Sequence, residues 1–456
     1  MAVTIAIIVW FMAAGVALVR PKVGAALIWP AIWLYPNTAL YGTLPLNVRL
    51  DDLWMVFMFV LAVFYARGRS GIGPIFWLAM AWAFSLVLGD FAGFFITGGI
   101  GWQQLVKSGL KTLYVPMTTY ILTVFIRDER DVWIHLKAMG LAAAAAAILS
   151  IAMVYFPTAL RTFLIPSAQV IGFQVYSALE LIEAGEIGAR RAQGAVGTMT
   201  LAAILMSASL LALCMLIYRV RQSGRGFFAV IALVCLVGLG YTATRGAIGG
   251  LVGAILWGML FTRRRGALIA IGLMGAAILV VQGGVLERVL LRVTGTAGAG
   301  ETPLMAGLAK RFAIWGAFAD NFSPIYLLTG MGMTSVMHLQ KATAHNSYLG
   351  AFVYAGLFGV AVMAAIIVRV WKLAKRLRMA ADTFSQGLGA YLAMFLVGMM
   401  LFGMVVEMFQ HPGAMQMLFA AMVLADRRLA QVREAGALPV PGALPSELSP
   451  GYAIAQ

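Results

Sequence analysis

Charge, cysteine and histidine are all scarce in this chain, and each shortage removes a class of protein. Only 11% of its 456 residues are Asp, Glu, Lys or Arg, against 62% hydrophobic, and the mean hydropathy is +0.92. A water-soluble globule cannot cover its surface with so few charges, so lipid is the expected surroundings of most of the chain. The two cysteines, Cys214 and Cys235, both fall inside apolar runs and read as buried thiols. That leaves no disulfide framework and no Cys/His metal spacing. Acidic residues number 17, which argues against a metal-dependent nucleotide-sugar transferase built on an outer aspartate pair. The chain has no Walker-type phosphate loop, dinucleotide glycine fingerprint, HExxH string or Ser-centred nucleophile elbow. ATP- or NAD-driven chemistry and zinc or serine hydrolysis lose their signatures with them.

What the chain does have is apolar runs of about the length a bilayer needs, roughly 20 residues each. They predict an all-α integral membrane protein with about 12–14 transmembrane helices, best counted as thirteen: 3–19, 22–40, 51–66, 73–93, 105–126, 136–156, 198–218, 227–243, 246–261, 266–282, 346–368, 387–406 and 412–426. Pro30 interrupts the second. The first lacks a basic leader and a small-residue cleavage site, so it is expected to be a retained span. The net charge of +16 invites a nucleic-acid partner, but the basic residues come in short clusters between apolar runs. Alternate loops hold about 21 of the 33 Lys and Arg, as the positive-inside rule requires with the N-terminus outside and the C-terminus inside. No nucleic acid is expected. Within a membrane domain of 1–434, two long outer segments follow, 157–197 and 283–345. The larger carries a helical stretch near Gly307–Phe318 and a mobile-looking Thr294–Gly300, and residues 435–456 predict a disordered cytoplasmic tail.

Against that segregation, Arg191, Arg245, Arg288 and Arg311 fall on the outer side, close to the bilayer. Arg245, in GYTATRGAIGG, has almost no polar spacer on either side, and a guanidinium held at the boundary suits a bidentate grip on phosphate or carboxylate. Snorkelling to lipid phosphates is the alternative. Arg190 and Arg191 open RRAQGAVGTMT, where Gly194 and Gly197 let the backbone bend before the seventh span. Arg311 and Trp315, four apart, share a helical face on which the ring could stack on the guanidinium. Arg288 and Arg292 share a face by the same spacing. His345 closes the large loop and opens the eleventh span with Asn346; such a histidine can take a proton from a hydroxyl, or it can be a capping residue. Lys107 and Lys111 form a basic stripe on the fifth span that could touch a second phosphate or lipid headgroups. Glu407 and His411, also four apart, could act as acid and base or steady one another. His338 reads as a surface residue, and His135 falls on the cytoplasmic side.

The order of these strings resembles the O-antigen ligase and Wzy-type polysaccharide polymerase superfamily. The matching pieces are RRAQGAVGTMT before a mid-chain span, ATRGAIGG at a span end, Arg311 ahead of Trp315, Pro324 and a Gly330-x-Gly332 turn, then His345-Asn346-x-Tyr348-Leu349 ahead of Gly356-Leu357-x-Gly359. The resemblance covers roughly residues 185–360. Two positions depart from it: Tyr354 stands where many members carry a glutamate, and Thr-Met-Thr follows Gly197 in place of the frequent Asn-Pro. The resemblance implies a GT-C-like membrane fold in the bacterial inner membrane, with a site facing the periplasm. It implies glycosyl transfer from undecaprenyl-diphosphate-linked glycan without cofactor or metal, as a polymerase of repeat units or as a ligase to lipid A core or protein. A complex with a flippase or chain-length regulator is a further implied partnership. Arg191, Arg245 and His345 would be catalytic, with Arg311, Arg288, Lys107, Lys111, Asn346 and Trp315 on diphosphate or glycan. A transporter is the competing class; it expects mid-span charges and internal repeats, neither of which the sequence shows.

Overall fold

A computed structural model describes residues 2–34, 50–66, 73–97, 101–156, 168–171, 174–177, 198–218, 224–242, 244–261, 303–320, 323–340 and 343–434. The expected span 266–282, the tail 435–456 and the segments bearing Arg191, Arg288 and Thr294–Gly300 lie outside the described residues. The first helices are α1 (Ala2–Val19), α2 (Pro21–Ala26), α3 (Ile28–Trp33), α4 (Leu50–Ala66), α5 (Pro74–Thr97), α6 (Trp102–Phe125) and α7 (Glu129–Tyr155). An antiparallel hairpin of β1 (Ala168–Ile171) and β2 (Gln174–Ser177) pairs Ala168 with Ser177. Then come α8 (Thr198–Ile217), α9 (Arg225–Thr242), α10 (Arg245–Phe261), α11 (Pro303–Asp320), α12 (Tyr326–Thr329), α13 (Met333–Gln340), α14 (Ser347–Arg378), α15 (Thr383–Gly403) and α16 (Pro412–Glu434).

Among the described residues, six helices are long and apolar enough to cross a membrane: α5, α7, α8, α9, α14 and α15. The chain is therefore a helical, membrane-embedded protein. α8 is its axis, packed by α7, α9, α15 and α16, and 94% of its apolar window is buried. Helices around it, α5, α7 and α9, instead expose large apolar side chains, among them Phe84, Phe91, Leu141, Val230 and Leu233, which in water would be an aggregation surface and in lipid is the solvated one. The second expected span is split at Leu27, between α2 and α3. Pro30 accounts for the break: it has no N–H for the carbonyl of Ala26, and its ring crowds that carbonyl.

Acidic and basic side chains gather at one end of the bundle. Lys22 pairs with Asp131 at 2.7 Å, and Asp128 and Asp131 close a capping box on α7. Arg428 of α16 reaches Glu129 at 2.7 Å and Asp382 at 3.0 Å while lying over the Phe384 ring, and Arg369 meets Asp426 at 3.0 Å. Burial opposes the charge on Asp382, but bonds from Ser385 and the Arg428 guanidinium hold its carboxyl below the ordinary range. These contacts tie α2, α7, α14, α15 and α16 together at the charged end.

The opposite end is organised by a break inside α14. Gly356 sits at φ 62°, ψ −160°, so the helix stops and restarts, and the carbonyls before the break lose their partners in the next turn. The backbone of the preceding loop replaces them. Met331 N–H donates to Val353 O at 2.7 Å and Gly332 N–H to Tyr354 O at 3.1 Å. Gly330 (φ 74°) and Gly332 (φ 76°) allow this approach, and a Cβ on Gly356 would lie 2.3 Å from the Leu328 carbonyl carbon. Asp90 of α5, buried, finishes the junction by accepting from Thr334 N–H at 2.8 Å and Ser108 Oγ at 2.6 Å.

Candidate functional site

The histidine end is built on the turn Met404–His411, between α15 and α16. Asn346 caps α14: its Oδ1 accepts from the amides of Tyr348 (2.9 Å) and Leu349 (3.0 Å), and its Nδ2 donates to Met404 O at 3.2 Å. Ser347 Oγ donates to Val406 O at 2.9 Å and accepts from Phe409 N–H at 3.2 Å, and Gln410 Nε2 reaches Ser347 O at 2.9 Å. Trp82 of α5 donates its indole N–H to Phe409 O at 2.7 Å. The turn is thus pinned from α5 and from α14.

His345, immediately before the cap, lies in the left-handed region at φ 50°, where a non-glycine residue is uncommon. Its backbone N–H donates to the Glu407 carboxylate. The Tyr354 hydroxyl accepts from Ala344 N–H at 2.7 Å and donates to the same Glu407 oxygen at 3.3 Å. Trp315 Nε1 donates to Ala344 O at 2.8 Å, holding α11 against the segment that carries the histidine. The peptide on each side of Ala344 is therefore fixed, and the His345 ring stays exposed, with Nδ1 3.4 Å from Thr343 Oγ1.

Other expected residues reach the same turn. Arg245 is the exposed first residue of α10, and a Cβ on its neighbour Gly246 would press on Val405 and Phe402. Thr200, near the start of α8, shares a hydrogen bond of 3.1 Å with His411 Nε2. Lys111 of α6 is half-buried and its charge acts on His411; burial first, and Lys111 second, push the His411 imidazole down to about 4.

So His345 and Asn346 are each bonded to the turn, Trp315 holds the Ala344 carbonyl just before them, and Arg245 and Lys111 border the turn. Arg311 is half-buried one helical turn before Trp315, without a hydrogen-bond or ion-pair partner among the described residues. The expected Arg311–Trp315 stacking is not formed: the indole is turned to Ala344 O and meets the Phe312 edge at 5.4 Å. The expected Glu407–His411 pair is not formed either. Residues 404–411 are a turn rather than a helix, so four-residue spacing does not align the side chains, and Glu407 serves His345 while His411 serves Thr200. Asn346 spends its amide on the cap and on Met404 rather than presenting it to a ligand. Lys107 lies one turn before Lys111 on α6, its side chain outside the described residues, as are those of His338, Arg191 and Arg288. His135 is buried in α7 against Trp29, 3.4 Å from the indole nitrogen, near the charged end.

No protein-family model matches the chain, and no curated protein does. Two partnerships at the site are not visible in the sequence: Glu407 accepts from the His345 amide, and the Tyr354 hydroxyl links the Ala344 amide to the same carboxylate. In the sequence Tyr354 stands out only as a departure from the pattern that the chain resembles, and Glu407 only as a neighbour of His411 by spacing. Chemically the arrangement offers an exposed imidazole on a fixed backbone and an exposed guanidinium on an adjoining helix start. That combination can bind an anion and relieve a hydroxyl of its proton.

Proposed function

We propose that the chain joins polyprenyl-diphosphate-linked oligosaccharide repeat units into exopolysaccharide or O-antigen, by inverting glycosyl transfer that uses neither nucleotide nor metal. The observation that carries this is His345, pinned through its own amide by Glu407 beside the helix start that bears Arg245. In this scheme Arg245 and Arg191 grip the diphosphate, and Arg311, Arg288, Lys107 and Lys111 supply further positive charge to diphosphate or glycan. His345 accepts the proton of the acceptor hydroxyl as its oxygen bonds to the donor's anomeric carbon. The bond from that carbon to the phosphate oxygen breaks, and the electron pair leaves with the diphosphate, whose developing charge the guanidinium groups stabilise. The positive-inside pattern supports a periplasmic location for this end of a multi-pass inner-membrane protein. The segregation of charge to the ends of the bundle supports transfer chemistry over transport.

The test is analysis of lipid-linked intermediates in a strain lacking the gene, complemented by wild type, Arg245→Ala or His345→Ala. Single repeat units should accumulate without the gene and with either variant, at unchanged protein level. Normal polymer length in both variants refutes the site. Full-length lipid-linked polymer that is never transferred refutes polymerisation and makes the chain a ligase to lipid A core or protein.

A further inference from the structure

Residues Ser323–Met337 carry no Asp, Glu, Lys or Arg, although they fall within the segment 283–345 that the sequence places outside the bilayer. Tyr326 of α12 is buried, while Ile325 (64% exposed), Leu327 (43%) and Leu328 (66%) turn outward. The backbone behind them is packed between two spans. A Cβ on Gly89 of α5 would strike the carbonyl oxygens of Tyr354 and Thr329, and one on Gly93, a turn further along, that of Met331. Small residues at that spacing let backbones touch. The outward side chains continue the apolar surface of those spans. Phe84 of α5 meets Phe358 of α14 edge-on with ring centres 6.2 Å apart, and Leu357 is exposed beside the Gly356 break against which the Leu328 carbonyl packs.

Depth follows from both helices. The apolar span of α5, Pro74–Phe95, has 22 residues, about 33 Å at ~1.5 Å each, close to the ~30 Å hydrocarbon thickness of a bilayer. Gly89 lies six residues before its end, about 9 Å inside. On α14, Arg369 opens the basic run of the charged end. A ~30 Å length of helix before it, about twenty residues, begins at Leu349, which puts Gly356 about 10 Å inside. The two helices agree, and the backbone at Leu328 and Thr329 touches both. Irregular backbone is tolerated at such depth only where protein completes its hydrogen bonds. Here Gly330 N–H donates to Tyr326 O at 2.8 Å, the Met331 and Gly332 amides donate to α14, and Thr334 N–H donates to Asp90.

We propose that 324–332 is a re-entrant element, seated in the hydrocarbon of the bilayer half nearer His345, with Ile325, Leu327 and Leu328 against lipid acyl chains. Nitroxide labels on Ile325→Cys, Leu327→Cys and Leu328→Cys, in the full chain in phosphatidylcholine–phosphatidylglycerol nanodiscs, report collisions with oxygen, which partitions into lipid, and with a water-soluble nickel chelate. All three side chains are exposed, so the substitutions spare the packing, and wild type, whose two thiols are buried, is the unlabelled blank. Phe84→Cys is the lipid reference and the exposed Arg376→Cys the aqueous one. Oxygen collisions should exceed nickel collisions at 325, 327 and 328 as they do at 84, with the order reversed at 376. Nickel collisions in excess at two or more of the three put the segment in water and overturn the proposal. Few collisions with either reagent mean that protein, a second copy or another part of this chain, covers the face, and overturn lipid as its occupant. Photolabelling of wild type by a diazirine-bearing acyl chain needs no variant. Adducts are expected on peptides containing 325–328, and their absence beside labelled Phe84 peptides refutes the proposal.

Discussion

The Glu407 carboxylate is the one acceptor that both fixes the His345 peptide and satisfies the Tyr354 hydroxyl, so its removal has a calculable cost. Tyr354 is fully buried, which leaves water little access to its hydroxyl, whereas His345 is exposed. An unsatisfied buried donor costs ~1–3 kcal/mol, so Glu407→Ala should destabilise by about 1–3 kcal/mol. Tyr354→Phe orphans Ala344 N–H and removes one bond to a charged acceptor, for about 2–4 kcal/mol. The two substitutions break a shared network, so the double variant should lose less than the sum of the singles by ~0.5–3 kcal/mol. Unfolding free energies from detergent-denaturant titration of the four proteins, followed by tryptophan fluorescence, give this coupling. Transfer assays on the same proteins should show both singles impaired at equal membrane content, with Glu407→Gln, which keeps one acceptor oxygen, closer to wild type. Additivity within ~0.3–0.5 kcal/mol would show that Glu407 and Tyr354 do not act on the histidine together, and the pinning argument would fail.

Gly356→Ala should cost at least ~3 kcal/mol, from ~1–2 for a Cβ at positive φ and ~1 for each of the two loop-to-helix hydrogen bonds, read as lower thermal stability in detergent. The His411 imidazole, held neutral down to about 4, binds fewer protons folded than unfolded below ~6.5. Wild type should thus lose stability as pH falls from ~6.5 towards 4, and His411→Gln should flatten that slope; an unchanged slope refutes the assignment. Arg428→Ala leaves Glu129, Asp382 and Ser385 without their shared partner and should lower thermal stability without altering polymer length, since it lies at the end remote from His345.

Helix positions were legible because apolar length is a local signal. The start of α4 at Asp51 and Asp52, the helix around Trp315 and the opening of α14 at Asn346 all follow from residues adjacent in the chain. The breaks were half legible. Pro30 announces its own, whereas Gly356 reads like any glycine in an apolar run until Gly330 and Gly332 are seen against it. Partnerships across the fold were not legible. Glu407 and His411 look like a helical pair by spacing, and only the turn that interrupts α15 redirects one to His345 and the other to Thr200. Trp315 was expected to stack on Arg311, but its indole is oriented by a bond to Ala344 O, an acceptor distant in the chain that helical spacing does not reveal.

The junction at Gly356 has a bearing on how this protein can be rearranged. The Val353 and Tyr354 carbonyls inside α14 are completed by the amides of Met331 and Gly332, a short stretch that precedes the same helix in the chain. Grafting another segment between α10 and α14, or trimming this one back past Met331, would leave naked peptide groups inside α14, each costing several kcal/mol where lipid surrounds it. Chimeras that exchange this segment should therefore keep 326–359 as a single cassette and cut upstream of Pro324.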